Sequence, residues 1–145
     1  MEEEQMDKRV ENKLIFSWLT SLVAMLGSLY FSQIKLFEPC TLCWYQRILM
    51  YPLVVILLLG IIQKDTKVAV YSMVLSGIGL CISIYHYGLQ KLSFLSTNAP
   101  SCGRIPCTGE YINWLGFITI PFLAGTAFLI IFICSLSIIR SSRRK

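Results

Sequence analysis

Apolar positions in this chain come in long unbroken blocks, not in the short alternations of a water-facing fold. Leu14 to Ile34 is 21 residues without a charged side chain. As a helix it would extend about 31 Å, enough to cross the hydrocarbon core of a bilayer. Trp44 to Ile62 forms a second block, broken only by Arg47 near its start. Val68 to Leu89 is a third, 22 residues in which only His86 can take up a charge near neutral pH. Tyr111 to Ile139 is a fourth, 29 residues long, so its first turns are expected in the interface. The pattern predicts an all-α, four-helix transmembrane bundle with helices at roughly 14–34, 44–62, 68–89 and 111–139. Residues 1–145 are read as one membrane-integral domain. The turn Gln63–Lys67 leaves no room for a soluble insertion, and there is no internal repeat or low-complexity segment.

Composition agrees: 55% of residues are hydrophobic and 14% charged, with a mean hydropathy of +0.64, far from a soluble domain. Charge adds a direction. Lys8, Arg9, Lys13, Lys64, Lys67, Arg140, Arg143, Arg144 and Lys145 fall on one side of the expected spans, and Lys35, Arg47, Lys91 and Arg104 on or near the other. Basic residues stay inside, so both termini are expected in the cytoplasm and the loops 35–43 and 90–110 outside. The net charge of +5 then reflects topology, not nucleic-acid binding. The first block is too long for a signal peptide and no small-x-small site follows it, so it is expected to remain as a span. Trp18, Tyr30 and Trp114 suit aromatic belts. Gly27, Ser28, Gly77, Gly79 and Ser83 are expected to let neighbouring helices approach closely, and Pro52 can bend the second helix.

The candidate chemistry centres on Glu38-Pro39-Cys40-Thr41-Leu42-Cys43-Trp44-Tyr45-Gln46-Arg47. If the helix starts near Leu42, this Cys-x-x-Cys sits at its N-terminus, where unpaired N–H groups and the macrodipole favour a thiolate. Two cysteines on one helical turn have Cα atoms about 5–6 Å apart, within the span of a disulfide. Arg47 follows Cys43 by four residues, which brings a permanent positive charge near that sulfur. The second outward loop carries Cys102 and Cys107 with four residues between them, among Asn, Pro, Ser and Gly. Cys81 and Cys134 fall within spans and are read as small apolar residues. His86, about one turn inside the outer end of the third helix, is either an interfacial histidine or a hydrogen-bond or proton partner for a buried polar head group.

The two outward pairs admit three readings. They are structural disulfides of an oxidising exterior, although such short loops gain little from a staple. They form a zinc site of four thiolates, with an x4 spacing less usual for zinc. Or they form a thiol–disulfide relay between a partner and a membrane acceptor. No haem, flavin or nucleotide motif is present in the sequence.

The Glu-Pro-Cys-Thr-Leu-Cys-Trp-Tyr-Gln-Arg block, the Cys102 and Cys107 pair and four spans with both ends inside closely resemble the DsbB family of disulfide bond formation proteins. The short second loop and Tyr111-Ile-Asn-Trp-Leu-Gly-Phe-Ile-Thr-Ile-Pro121-Phe resemble its Gram-positive BdbC branch. Gram-negative members carry a longer second loop with an amphipathic segment, which this chain lacks. Vitamin K epoxide reductases are similar in helix number and chemistry, but the arginine block fits the DsbB side. The resemblance implies a bacterial cell-membrane oxidoreductase that re-oxidises an extracytoplasmic thioredoxin-like thiol oxidase. Its electrons go to a quinone, menaquinone rather than ubiquinone, in support of disulfide formation in exported proteins. It also implies catalytic roles for Cys40, Cys43, Cys102 and Cys107, and a cofactor-binding role for Arg47, with His86 the further candidate. No metal is implied. The quinone site is expected near the outer ends of the first three helices. The alternative is a zinc- or disulfide-stabilised four-helix membrane module without redox turnover.

Overall fold

The computed structural model describes residues 7–36, 41–92, 94, 97 and 120–144. Among the described residues the long helices are four: α1 Lys8–Gln33, α2 Thr41–Gln63, α3 Val68–Lys91 and α4 Ile120–Arg143. All four are long and apolar enough to cross a membrane.

All four helices overrun the apolar blocks that announced them, α3 by only the two residues to Lys91. At α1 the reason is a cap: the Asp7 carboxylate accepts the Arg9 N–H at 3.2 Å, and Glu11 in the first turn suits the positive end of the helix. The helix therefore starts six residues before Leu14. The α2 helix starts at Thr41, three residues before Trp44, which brings Cys43 into its first turn. At the other end of the chain α4 runs on to Arg143, with Arg140 and Arg143 in the last turn where cations are favoured. The expected start of the fourth helix, 111–119, lies outside the described residues. Pro52 is carried inside α2.

The tight turn after α2 has Lys64 in the left-handed region (φ 53°). There the Asp65 N–H reaches back to the Gly60 carbonyl at 3.1 Å, and the Asp65 carboxylate accepts the Lys67 N–H at 2.9 Å. This short closure makes α2 and α3 neighbours. The most extensive packing is between α3 and α4; α1 packs on α2 and on α4, and α2 and α4 barely meet. The helices thus stand in ring order. Lys13 Nζ donates to Ser137 Oγ at 2.6 Å, so the start of α1 and the end of α4 share one end of the bundle.

Lipid tails are as apolar as leucine, so close packing and internal hydrogen bonds must hold such a bundle together. Small and hydroxyl-bearing residues accordingly share the core with Leu14, Leu53, Leu57, Phe128 and Ile131. A Cβ on Gly79 would run into the Phe128 ring, and one on Gly60 into Val68. Ser17, Ser21, Ser72, Ser76, Ser83 and Ser135 are all buried. Ser17 donates to the Lys13 carbonyl at 2.9 Å, Ser76 to the Ser72 carbonyl at 2.6 Å, and Ser72 and Ser135 share a hydrogen bond of 2.8 Å across α3 and α4. The expected close approaches at Gly79 and Ser83 are thus present, the latter against Gly125, where an added Cβ would lie 3.3 Å from Ser83 Cβ.

Two expectations about small residues fail. Gly27 is not at a helix contact, because a Cβ built on it meets no atom within 4 Å. Cys81 is not buried in the bundle; it is exposed on the side of α3 opposite the stripe Ser72, Ser76, Gly79, Ser83 and His86. Cys134 is half-buried on α4.

Candidate functional site

A cleft of about 610 Å³ opens between α1, α2 and α4. Its walls are mostly apolar, with Phe16, Leu19, Val23 and Phe31 from α1 facing Leu123, Ala127 and Ile130 from α4. The polar atoms gather where α2 begins, at Cys43, Gln46 and Arg47. These three share one face because residues three and four apart on a helix are neighbours.

Arg47 does not extend along its own helix toward water. Its Nη2 donates to the Ser28 carbonyl at 2.9 Å and its Nη1 to Ser32 Oγ at 3.2 Å, both on α1. The Trp44 ring lies 5.6 Å from the guanidinium carbon, within the range of a cation–π contact. The planar fork is thereby held in one orientation in the cleft that the half-buried Cys43 also lines. A lysine ammonium could not satisfy this pair of acceptors with the same geometry.

His86 is buried, 1% exposed, and does not line the cleft. Its Nδ1 lies 3.3 Å from Gln46 Nε2, with Gln46 itself 5% exposed. If the amide donates, Nδ1 is the acceptor and the ring proton sits on Nε2. The third helix therefore meets the cleft through Gln46. The cleft itself is walled by α1, α2 and α4, and α3 stands behind α2.

Of the expected site residues, Cys43 and Arg47 come together at the cleft and His86 adjoins it through one side chain. Cys40, Cys102 and Cys107 lie outside the described residues, as do the loops that carry them. The zinc reading needs those same three cysteines. Sequence reasoning read Ser28 only as a small packing residue, and did not single out Ser32 or Gln46 as partners in the site. The signal for the two serines was their i, i+4 spacing near the C-terminal end of α1; for Gln46 it was an amide three residues after Cys43 inside an apolar block.

Fold and site define a multi-pass membrane protein whose lipid-like cleft ends at a sulfur and a fixed guanidinium. A family model described as "Disulfide bond formation protein DsbB" matches residues 11–138. "Probable disulfide formation protein C" of Halalkalibacterium halodurans is 67% identical over 135 residues, covering 93% of this chain and 98% of that protein. "Disulfide bond formation protein C" of Bacillus subtilis is 54% identical over 132 residues, 88% of this chain and 96% of the relative. The "SPbeta prophage-derived disulfide bond formation protein B" of the same species is 37% identical over 135 residues, 93% and 90% of the two chains. The chain belongs to the DsbB family, on the side of its Bacillus disulfide formation proteins C, and membership implies an oxidoreductase role in disulfide formation.

Proposed function

We propose that this protein re-oxidises an extracytoplasmic thioredoxin-like thiol oxidase and passes the electrons to a membrane quinone, with menaquinone preferred over ubiquinone. In this reading the protein is a protein-disulfide:quinone oxidoreductase, with both termini cytoplasmic and the two cysteine pairs outside. The observation that carries it is the cleft: an apolar slot of about 610 Å³ with Cys43 at its mouth and Arg47 locked there by Ser28 and Ser32.

The residues fit such a group. A quinone has an apolar tail, which Val23, Ala24, Leu123 and Ala127 would accommodate, and carbonyl oxygens, which the guanidinium would attract. When bound, it supplies an acceptor for two electrons and two protons, at a potential high enough to drain a strongly oxidising partner.

The thiol steps belong to the chain's own cysteines. A thiolate of the reduced partner attacks Cys102 Sγ; the Cys102–Cys107 disulfide breaks, and Cys107 leaves as a thiolate. Cys107 attacks Cys40, the Cys40–Cys43 bond breaks, and Cys43 becomes the thiolate facing Arg47. The partner's second thiol then displaces Cys102 and leaves with the partner as a disulfide. Cys102 in turn attacks Cys107 in the interloop disulfide, which restores the Cys102–Cys107 bond and releases Cys40. Two thiols have been oxidised in the partner, and one electron pair rests on Cys40 and Cys43. Arg47 holds down the energy of the Cys43 thiolate, because a preorganised charge in a desolvated site needs no reorganisation as the anion forms.

Alkylation of protein taken directly from cells tests this. The outward cysteines should be blocked as disulfides, become alkylatable on addition of reduced partner, and be blocked again when quinone is supplied. Disulfides that the partner never opens would leave only a stapled membrane module. Free thiols appearing on chelation, with about one zinc per chain, would mark a metal-stabilised one.

A further inference from the structure

Glycine inside a helix is less favourable than alanine by about 1 kcal/mol, so it calls for a reason. Gly60 and Gly79 have one, since Val68 and Phe128 fill the space a Cβ would need. Gly125 lies close to Ser83, and Gly77 is in van der Waals range of Phe132. Gly27 differs from these four: no atom lies within 4 Å of a Cβ built on it. It lies well inside α1, it lines the cleft, and the next residue, Ser28, offers the carbonyl that holds Arg47. The volume that a side chain would take at this position is cleft volume beside the guanidinium.

We propose that Gly27 is a specificity-determining residue: it keeps the cleft wide at its polar mouth so that a flat quinone ring can pack against bare α1 backbone. This rests on the quinone reading above and adds the ring's position to it. A Cβ here would hold the ring off the helix, and a branched side chain would take its place. Such a change costs the fold nothing, because no neighbour has to move.

The test is direct binding, read by calorimetry on detergent-solubilised full-length protein. Two probes are used, a tail-less naphthoquinone and one with a short isoprenoid tail. Gly27→Ala should weaken binding of both by about 10-fold and Gly27→Val by about 100-fold, the scale of overpacking a close-fitted site. The melting temperature of Gly27→Ala should stay at or above wild type, so a lost affinity there reports the cleft and not misfolding. Unchanged affinity of folded Gly27→Ala and Gly27→Val for the tail-less ring overturns the proposal. Weakening confined to the tailed probe also overturns it, by placing Gly27 on the path of the tail. If wild type binds and reduces quinone while the variants match it, only the role of Gly27 falls. If wild type binds neither probe, the quinone reading falls with it.

Discussion

Arg47 is where the chemistry and the fold constrain one another most. An interfacial arginine that only anchored its helix would lay its stem along the surface and send its head to water. Here the head is turned inward onto α1, at Ser28 and Ser32, in the same cleft that Cys43 lines. Arg47→Gln should therefore slow the quinone step by about 10- to 1000-fold, while exchange between the partner and Cys102 stays near normal. Arg47→Lys keeps the charge without the fork and should fall between the two. Separate rapid-mixing assays of the two half-reactions would resolve this; a wild-type quinone rate in a correctly inserted Arg47→Gln would reduce the arginine to an anchor. Ser32→Ala removes one of the two holds and should slow the same half-reaction by about 3- to 10-fold, the scale of one hydrogen bond to a charged group. Added to Arg47→Gln it should cost almost nothing more, because the two residues act as one unit. His86 lies against Gln46, which lines the cleft, so its substitution should loosen Gln46.

At the scale of the helices, hydrophobic blocks were enough to count four spans and to place them in order. They were less able to mark ends: Asp7 as a cap and the basic last turn of α4 extend helices beyond the lipid-matched stretch. The pairing of Cys43 with Arg47 was legible because it depends only on helical period. The rest of the site comes from juxtaposition. Ser32 and Ser28 precede Arg47 by 15 and 19 residues and reach it only because α1 packs on α2. The α4 wall lies on a helix about a hundred residues further along the chain from α1, and no local pattern ties Leu123 to Val23. Small residues were the least legible class, since a glycine reads the same whether it admits a helix or lines a cleft. Gly79 and Gly27 separate the two cases. Gly79→Ala should lower stability by about 1–3 kcal/mol through overpacking against Phe128, visible as a fall in melting temperature in detergent. Gly27→Ala should show no such fall.

Across the whole molecule the ring of four helices divides the cysteines by location. Cys43 lines the cleft, whereas Cys81 faces out of the bundle and Cys134 sits half-buried on α4, and neither of these two lines it. Replacing Cys81 and Cys134 together by Ala should leave turnover largely intact; a well-folded double variant without turnover would move the chemistry into the membrane. The tie between Lys13 and Ser137 keeps the start of α1 and the end of α4 at one end of the bundle, opposite the start of α2. In the proposed topology, with both cysteine pairs outside, an electron path into the cleft needs no crossing of the bilayer. Its most direct test is stoichiometry. Purified protein is mixed with a reduced thioredoxin-like partner and a short-tail naphthoquinone, and partner disulfide and quinone loss are followed together. One quinone should disappear for each partner disulfide formed, and both should stop in Cys40→Ala and in Cys43→Ala. Partner oxidation without quinone loss, or quinone loss at the wild-type rate in Cys43→Ala, would contradict the relay.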